Sequence, residues 1–308
     1  MQSNGGNLIK YLRKKMGVSQ EELAQKLFIS RRTLTKVENG TAELGFLDFK
    51  AAFQVLGCGN IDDFWIVYLS VEEFEGWLQY KTMRLLLNSG NVSELRDNCQ
   101  SFKKNPLAKR FLFNQFLSCV NVVIDDEMPD DRKLKVLHSE IEKSIKNFAD
   151  EKIGEYRLSY NEVLIINELA LIYARLEKWD KTISLLDKLV QNVDSGCIAI
   201  PVPIHWRTTT EENALLLPKP HVDLATILVE SGEYEKAAHL CKSALELIRI
   251  YHRQQLGPYV SYLMGVCYRK MNREKQEYMH YLAMSYYTAM AYGQNDLAGK
   301  VKEECGIS

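Results

Sequence analysis

Metal and disulfide chemistry find little to work with in this chain. Its seven cysteines (Cys58, Cys99, Cys119, Cys197, Cys241, Cys267 and Cys305) form no Cys-x-x-Cys pair, and the closest two stand 20 residues apart. That spacing rules out a zinc knuckle and argues against a secreted disulfide scaffold. They read as buried or idle thiols in a reducing cytoplasm, and no cofactor or metal is expected. The six histidines make no His-x-x-x-His or His-Glu-x-x-His pair. Neither Gly-x-Gly-x-x-Gly, nor a Walker lysine, nor a Gly-x-Ser-x-Gly turn is present. Adjacent carboxylates such as Glu72-Glu73 point apart on a helix. Enzymatic activity is therefore not expected. No apolar run approaches the roughly 18 residues of a membrane span, and the polar opening does not read as a signal-peptide core, so a cytoplasmic protein without a membrane partner is expected. Proline is scarce, seven in 308 residues with none before Pro106. Long proline-free stretches favour helix over strand.

Charge of one sign is also lacking, since 39 basic and 40 acidic residues leave a net charge of −1. That balance hides a local asymmetry. Residues 1 to 40 hold eight basic side chains against three acidic ones, a surplus of five that leaves −6 for the rest of the chain. Within this basic stretch Leu8, Ile9 and Leu12 recur at helical spacing up to Gly17, a good left-handed stop. Ser19-Gln20-Glu21-Glu22 has the capping-box pattern, opening a helix whose Leu23, Ala24 and Leu27 face inward. After a turn at Phe28-Ile29, Ser30 caps a third helix from Arg31 to Asn39, ending at Gly40. Leu34 and Val37 pin that helix from beneath, so its opposite face presents Arg31, Arg32, Thr35 and Lys36. Long cationic side chains at the start of an exposed helix suit the major groove of DNA.

Leu12-Arg13-Lys14-Lys15-Met16-Gly17-Val18-Ser19-Gln20-Glu21-Glu22-Leu23-Ala24, continued by Ile29-Ser30-Arg31 and Val37-Glu38-Asn39-Gly40, closely resembles the lambda-repressor-like (Xre-type) DNA-binding domain. The resemblance covers about residues 5 to 68. It implies that Gln20 and Asn39 hold phosphates, that Arg31 and Arg32 read bases, and that Arg13 pairs with Glu38 to lock the first helix onto the third. Leu47, Phe49, Phe53, Val55 and Leu56, then Ile61, Phe64 and Trp65, would close the core, with Cys58 in a loop.

From about Val71 onward helix follows helix, broken at Asn88-Ser89-Gly90-Asn91 and at Asp125 to Asp131. A tetratricopeptide repeat of about 34 residues places a small residue at position 8 and small or apolar residues at 20, 24 and 27, where paired helices touch. Beginning at Val163, the register gives Ala170, Thr182, Leu186 and Leu189, with Thr182 in place of alanine. Beginning at Pro218, it gives Ala225, Ala237, Cys241 and Ala244, the best match in the chain. Beginning at Pro258, it gives Gly265, but Glu277, Tyr281 and Met284 fit poorly. The repeats are interrupted, mostly near Asp194 to Leu217, where Ile200-Pro201-Val202-Pro203 cannot be helical throughout. Weaker pairs lie around Met83 to Phe102 and Phe116 to Ile145. The chain is thus expected to be all-α, a lambda-repressor-like domain at residues 1–68 followed by a tetratricopeptide-like right-handed helical repeat domain at 69–308.

The first helix of each pair would line a concave wall. Asn167, Leu171, Thr226, Tyr259, Tyr262 and Arg269 fall on it by register, and Asn114, Asn121 and Asn161 are candidates for the same wall. Asparagine can bond both the amide and the carbonyl of an extended strand, and Arg269 could hold a carboxylate or pair with a neighbouring glutamate. This architecture resembles the Rgg, PlcR and PrgX group of peptide-pheromone receptors of Gram-positive bacteria. The resemblance implies a homodimer on a two-fold double-stranded DNA operator, modulated by a short linear signalling peptide. A repressor whose helical domain binds a protein partner is the alternative.

Overall fold

The computed structural model describes residues 5–56, 69–89, 91–156, 158–198, 218–250 and 254–305. Cys58, Ile61, Phe64, Trp65 and the Ile200 to Pro203 segment lie outside them. Among the described residues all regular structure is helical. No helix is long and apolar enough to cross a membrane. Four helices come first: α1 (Gly5–Lys15), α2 (Gln20–Lys26), α3 (Arg31–Glu38) and α4 (Phe46–Val55). They are followed by α5 (Val71–Ser89), α6 (Val92–Phe102), α7 (Phe111–Ile124), α8 (Asp130–Glu142), α9 (Tyr160–Arg175) and α10 (Trp179–Ile198). The last five are α11 (Pro218–Glu230), α12 (Tyr234–Ile250), α13 (Gly257–Lys270), α14 (Lys275–Ala291) and α15 (Asn295–Cys305). By internal contacts the chain divides into two units, residues 1–86 with 92–114, and residues 87–91 with 115–308.

The boundaries of α1 to α3 follow from local chemistry. Gly17 and Gly40 sit at φ +69° and +72°, the left-handed conformation that ends a helix at little cost only for glycine. The Ser19 and Ser30 hydroxyls accept the amides of Glu22 and Thr33, both at 3.0 Å, satisfying donors that the first turns leave unpaired. Beneath them Leu8, Ile9, Leu23 and Leu34 are fully buried, with Phe53 of α4 closing the core. The turn between α2 and α3 sets Phe28 at φ +54° with its ring exposed, so that Ile29 can turn partly inward.

The second unit is a stack of antiparallel pairs. Each of α8 to α15 packs on its sequence neighbour, and α9, α11, α13 and α15 also touch one another in succession. The small-residue register is what lets the pairs close. Ala170, Ala225, Ala237, Cys241 and Ala244 are all fully buried. Thr182, the departure from the pattern, is fully buried too, with its hydroxyl satisfied by the carbonyls of Lys178 (3.1 Å) and Ala170 (3.3 Å). A polar residue therefore sits at a helix contact without an orphaned hydroxyl.

Gly265 explains why the third repeat departs from the pattern. A Cβ there would lie 2.5 Å from Cγ of Leu282, so α14 has moved in against α13 around one leucine. Exposed glycine in a helix gains stability on becoming alanine; here the sign reverses. Gly265→Ala is expected to destabilise the second unit by about 1–3 kcal/mol, measured by urea unfolding.

Candidate functional site

On the face of α3 away from the core, Arg31 and Arg32 are exposed, and neither guanidinium makes a hydrogen bond or ion pair among the described residues. Two cations held at the first turn of a helix find no favourable partner in that helix, whose N-terminal amides carry partial positive charge. One turn further on, Thr35 Oγ1 donates to the Arg31 carbonyl (2.9 Å) and Lys36 is exposed. Asn39, exposed at the C-cap, accepts at Oδ1 from Lys10 Nζ (3.4 Å). Gln20 is half-buried, and its Nε2 donates to Glu38 Oε2 at 2.8 Å, so part of its bonding capacity is spent inside the protein.

Glu38 anchors this face. Arg13 grips it with two bonds, Nε to Oε1 at 2.6 Å and Nη2 to Oε2 at 3.0 Å, while Nη1 donates to the Val18 carbonyl at 3.0 Å. The glutamate side chain is wholly buried and the arginine side chain 10% exposed. Burial alone would raise the Glu38 pKa, but the bonds from Arg13 and Gln20 outweigh it and hold the carboxyl below its ordinary value. The expected pairing of Arg13 with Glu38 is thus present, and it fixes the tilt of α3 on α1.

Residues 9–63 match the helix-turn-helix family model. They form a helix-turn-helix domain. No curated protein matches the chain. Among solved structures, PlcR of Bacillus thuringiensis, crystallised with the peptide PapR7 and DNA, superposes with TM-score 0.67 at 16% identity, over 97% of this chain and 99% of that one. ComR of S. thermophilus, solved with DNA and its signalling peptide ComS, gives 0.57 at 13%, over 97% and 98%. The Streptococcus dysgalactiae SHP pheromone receptor Rgg2 gives 0.50 at 13%, over 98% of each chain. At these identities the likeness is one of fold, a helix-turn-helix head followed by a helical repeat domain. ComR is described as a competence regulator and Rgg2 as a pheromone receptor.

In the repeat domain the nine expected wall residues separate into distinct environments. Asn161 is fully buried and its Nδ2 donates to Gln115 Oε1 (3.2 Å); Gln115 in turn donates to the Glu140 carbonyl (2.8 Å). That chain ties α7, α8 and α9 together, and places Asn161 in the core rather than on an accessible wall. Asn114 is exposed near the start of α7 and Asn121 is half-buried near its end. Arg269 pairs with Glu304 (3.0 Å), which also accepts from the Tyr262 hydroxyl at 2.7 Å. Its partner is the neighbouring glutamate.

Asn167 has the most telling environment. It is 1% exposed, its Nδ2 donates to Asp223 Oδ2 at 2.8 Å, and Oδ1 has no hydrogen-bond partner. Asp223 also receives Lys219 Nζ at 2.7 Å. Desolvation would lower the Lys219 pKa, but Asp223 and the nearby Glu168 outweigh it and push the ammonium up. Beside this group are half-buried Leu171 and Thr226, the latter with its hydroxyl 3.3 Å from that of Tyr259. Asn167 thus holds one buried carbonyl acceptor without a donor, its NH₂ being spent on Asp223, where the residue type suggested both a donor and an acceptor. Lys219 and Asp223 stand one turn apart, a spacing that reads as an ordinary surface pair, so only the structure shows them gathered on Asn167. Among the described residues no group of three His, Cys, Asp or Glu side chains is placed to hold a metal ion.

Proposed function

We propose that the chain is a transcriptional regulator that binds operator DNA as a dimer through the helix-turn-helix head of residues 1–68. A short linear peptide, bound along the first helices of the repeat domain at 69–308, modulates it. In this reading Arg31 and Arg32 read base edges, with Gln20, Thr35, Lys36 and Asn39 on the backbone. Asn167, Leu171, Thr226 and Tyr259 contact the peptide in a cytoplasmic quorum-sensing response. PlcR and ComR, solved with DNA and with peptides, support the pairing of functions on this fold.

The observation that carries the peptide half is the buried Asn167 carbonyl without a donor. A buried acceptor left unpaired costs about 1–3 kcal/mol, and an extended peptide supplies the missing N–H from its backbone. The test begins by isolating the protein from its own source and identifying co-purified peptide by mass spectrometry. With that peptide in hand, Asn167→Ala is expected to weaken binding about tenfold, the value of one net hydrogen bond of about 1.4 kcal/mol. DNA binding by the unliganded protein should not change. An unaltered peptide titration would remove Asn167 from the site.

A further inference from the structure

A second polar site adjoins the Asn167 group, in the cavity between α7, α8 and α9. It has a volume of about 510 Å³, within the roughly 300–1,000 Å³ of small-ligand pockets. Lys133 of α8 lines it and is only 7% exposed, yet its ammonium makes no hydrogen bond or ion pair among the described residues. The carboxylate one turn before it, Asp130, is committed to Arg175 at 2.8 Å. Glu168 of α9 lines the same cavity but does not come within the 4.0 Å of an ion pair with Lys133, and its own carboxyl carries no hydrogen bond. The residue is largely covered while its three ammonium donors stay free toward the cavity. Two opposite charges in one cavity, neither neutralised by the other, leave room between them for a molecule that carries the complementary pair.

We infer that this cavity binds a ligand bearing one ammonium and one carboxylate, the carboxylate on Lys133 and the ammonium on Glu168. Val122 and Ile172, both buried, supply an apolar wall for the ligand's side chain. Asp126 and Glu127 of the α7–α8 connection add negative charge to the lining and favour the ammonium end. Burial raises the Glu168 pKa, the state of a carboxyl that lacks the donor an ammonium would provide. Two sources carry this chemistry at this size: a free α-amino acid, or the end residue of a short peptide with an acidic first or basic last side chain. The inference does not depend on the operator, and Asn167→Ala, which leaves Lys133 and Glu168 in place, should not weaken this binding.

Isothermal titration of the full chain tests it, with the twenty free L-amino acids as one arm. Tripeptides with an acidic first or a basic last residue form the other. Single-charge controls are alkylamines, short carboxylic acids and amino acids acetylated or amidated at one end. At least one doubly charged probe is expected to bind, with the controls at least about tenfold weaker. Saturation by free amino acids alone names the first source, and by tripeptides alone the second. Lys133→Met and Glu168→Gln should each weaken binding at least about tenfold while the circular dichroism spectrum is retained. If Lys133→Met does not fold, Glu168→Gln decides, since that group is half-buried and unpaired. No binding by any probe up to about 10 mM, equal binding by the single-charge controls, or unchanged binding in the folded variants would overturn the site.

Discussion

Arg31→Ala combined with Arg32→Ala is expected to abolish specific DNA binding while leaving the head folded. Both side chains are exposed and bond nothing in the protein, so their removal takes no internal contact away. A bidentate arginine on a guanine contributes about 1–3 kcal/mol of discrimination, so the pair should cost between about 30-fold and 10⁴-fold on the cognate operator. Lys36→Ala gives the contrast: a phosphate contact weakens all sequences alike and lowers the salt slope by about one. Fluorescence anisotropy against operator and scrambled duplex, at two salt concentrations, separates the two behaviours. Retained specificity in the double variant would move the reading surface elsewhere.

The second large effect is on stability. Glu38→Ala leaves the Arg13 guanidinium buried without its carboxylate, and breaking a buried pair from one side costs about 3–5 kcal/mol. That is enough to unfold a small head. Arg13→Met should be comparably damaging, whereas Arg13→Met with Glu38→Leu should recover much of the loss, because neither charge is then stranded. Hydrogen exchange of α1 and α3, followed by mass spectrometry in the full chain, reads this locally. Acid supplies an independent check. The Glu38 pKa is lower folded than unfolded, so its contribution is complete above the ordinary carboxylate range and is lost as pH falls through the lowered value. The α1–α3 region should therefore lose protection on acidification, and Glu38→Gln should flatten that dependence.

The legibility of this fold in its sequence was uneven, for physical reasons. Caps and stops are local: Ser19, Ser30, Gly17 and Gly40 act on amides within a few residues, and all four sit where the sequence predicts. The repeat register was visible because Ala170, Ala225 and Gly265 must be small wherever two helices touch. Roles that depend on a third helix were not visible. Asn161 and Asn167 share a residue type and a helix, yet one joins a core network and the other meets Asp223, 56 residues away. Lys133 stands in the charged run Asp130-Asp131-Arg132-Lys133, which reads as a solvated face; only the packing of α9 buries it. Gly265 is in register, and the poor fit of Glu277, Tyr281 and Met284 has its reason in Leu282, which fills the space against that glycine.

The bond from Asn167 to Asp223 fixes more than a side chain. With its NH₂ held by a carboxylate, the amide cannot turn over, since the reversed orientation would set oxygen against oxygen. In the proposed complex that oxygen is therefore an acceptor at one set point, to be met by a strand's N–H and not by its carbonyl. On that reading the same peptide threaded backwards would have to slide its register to bring an N–H to that point, so the committed amide ties the strand's direction to its register.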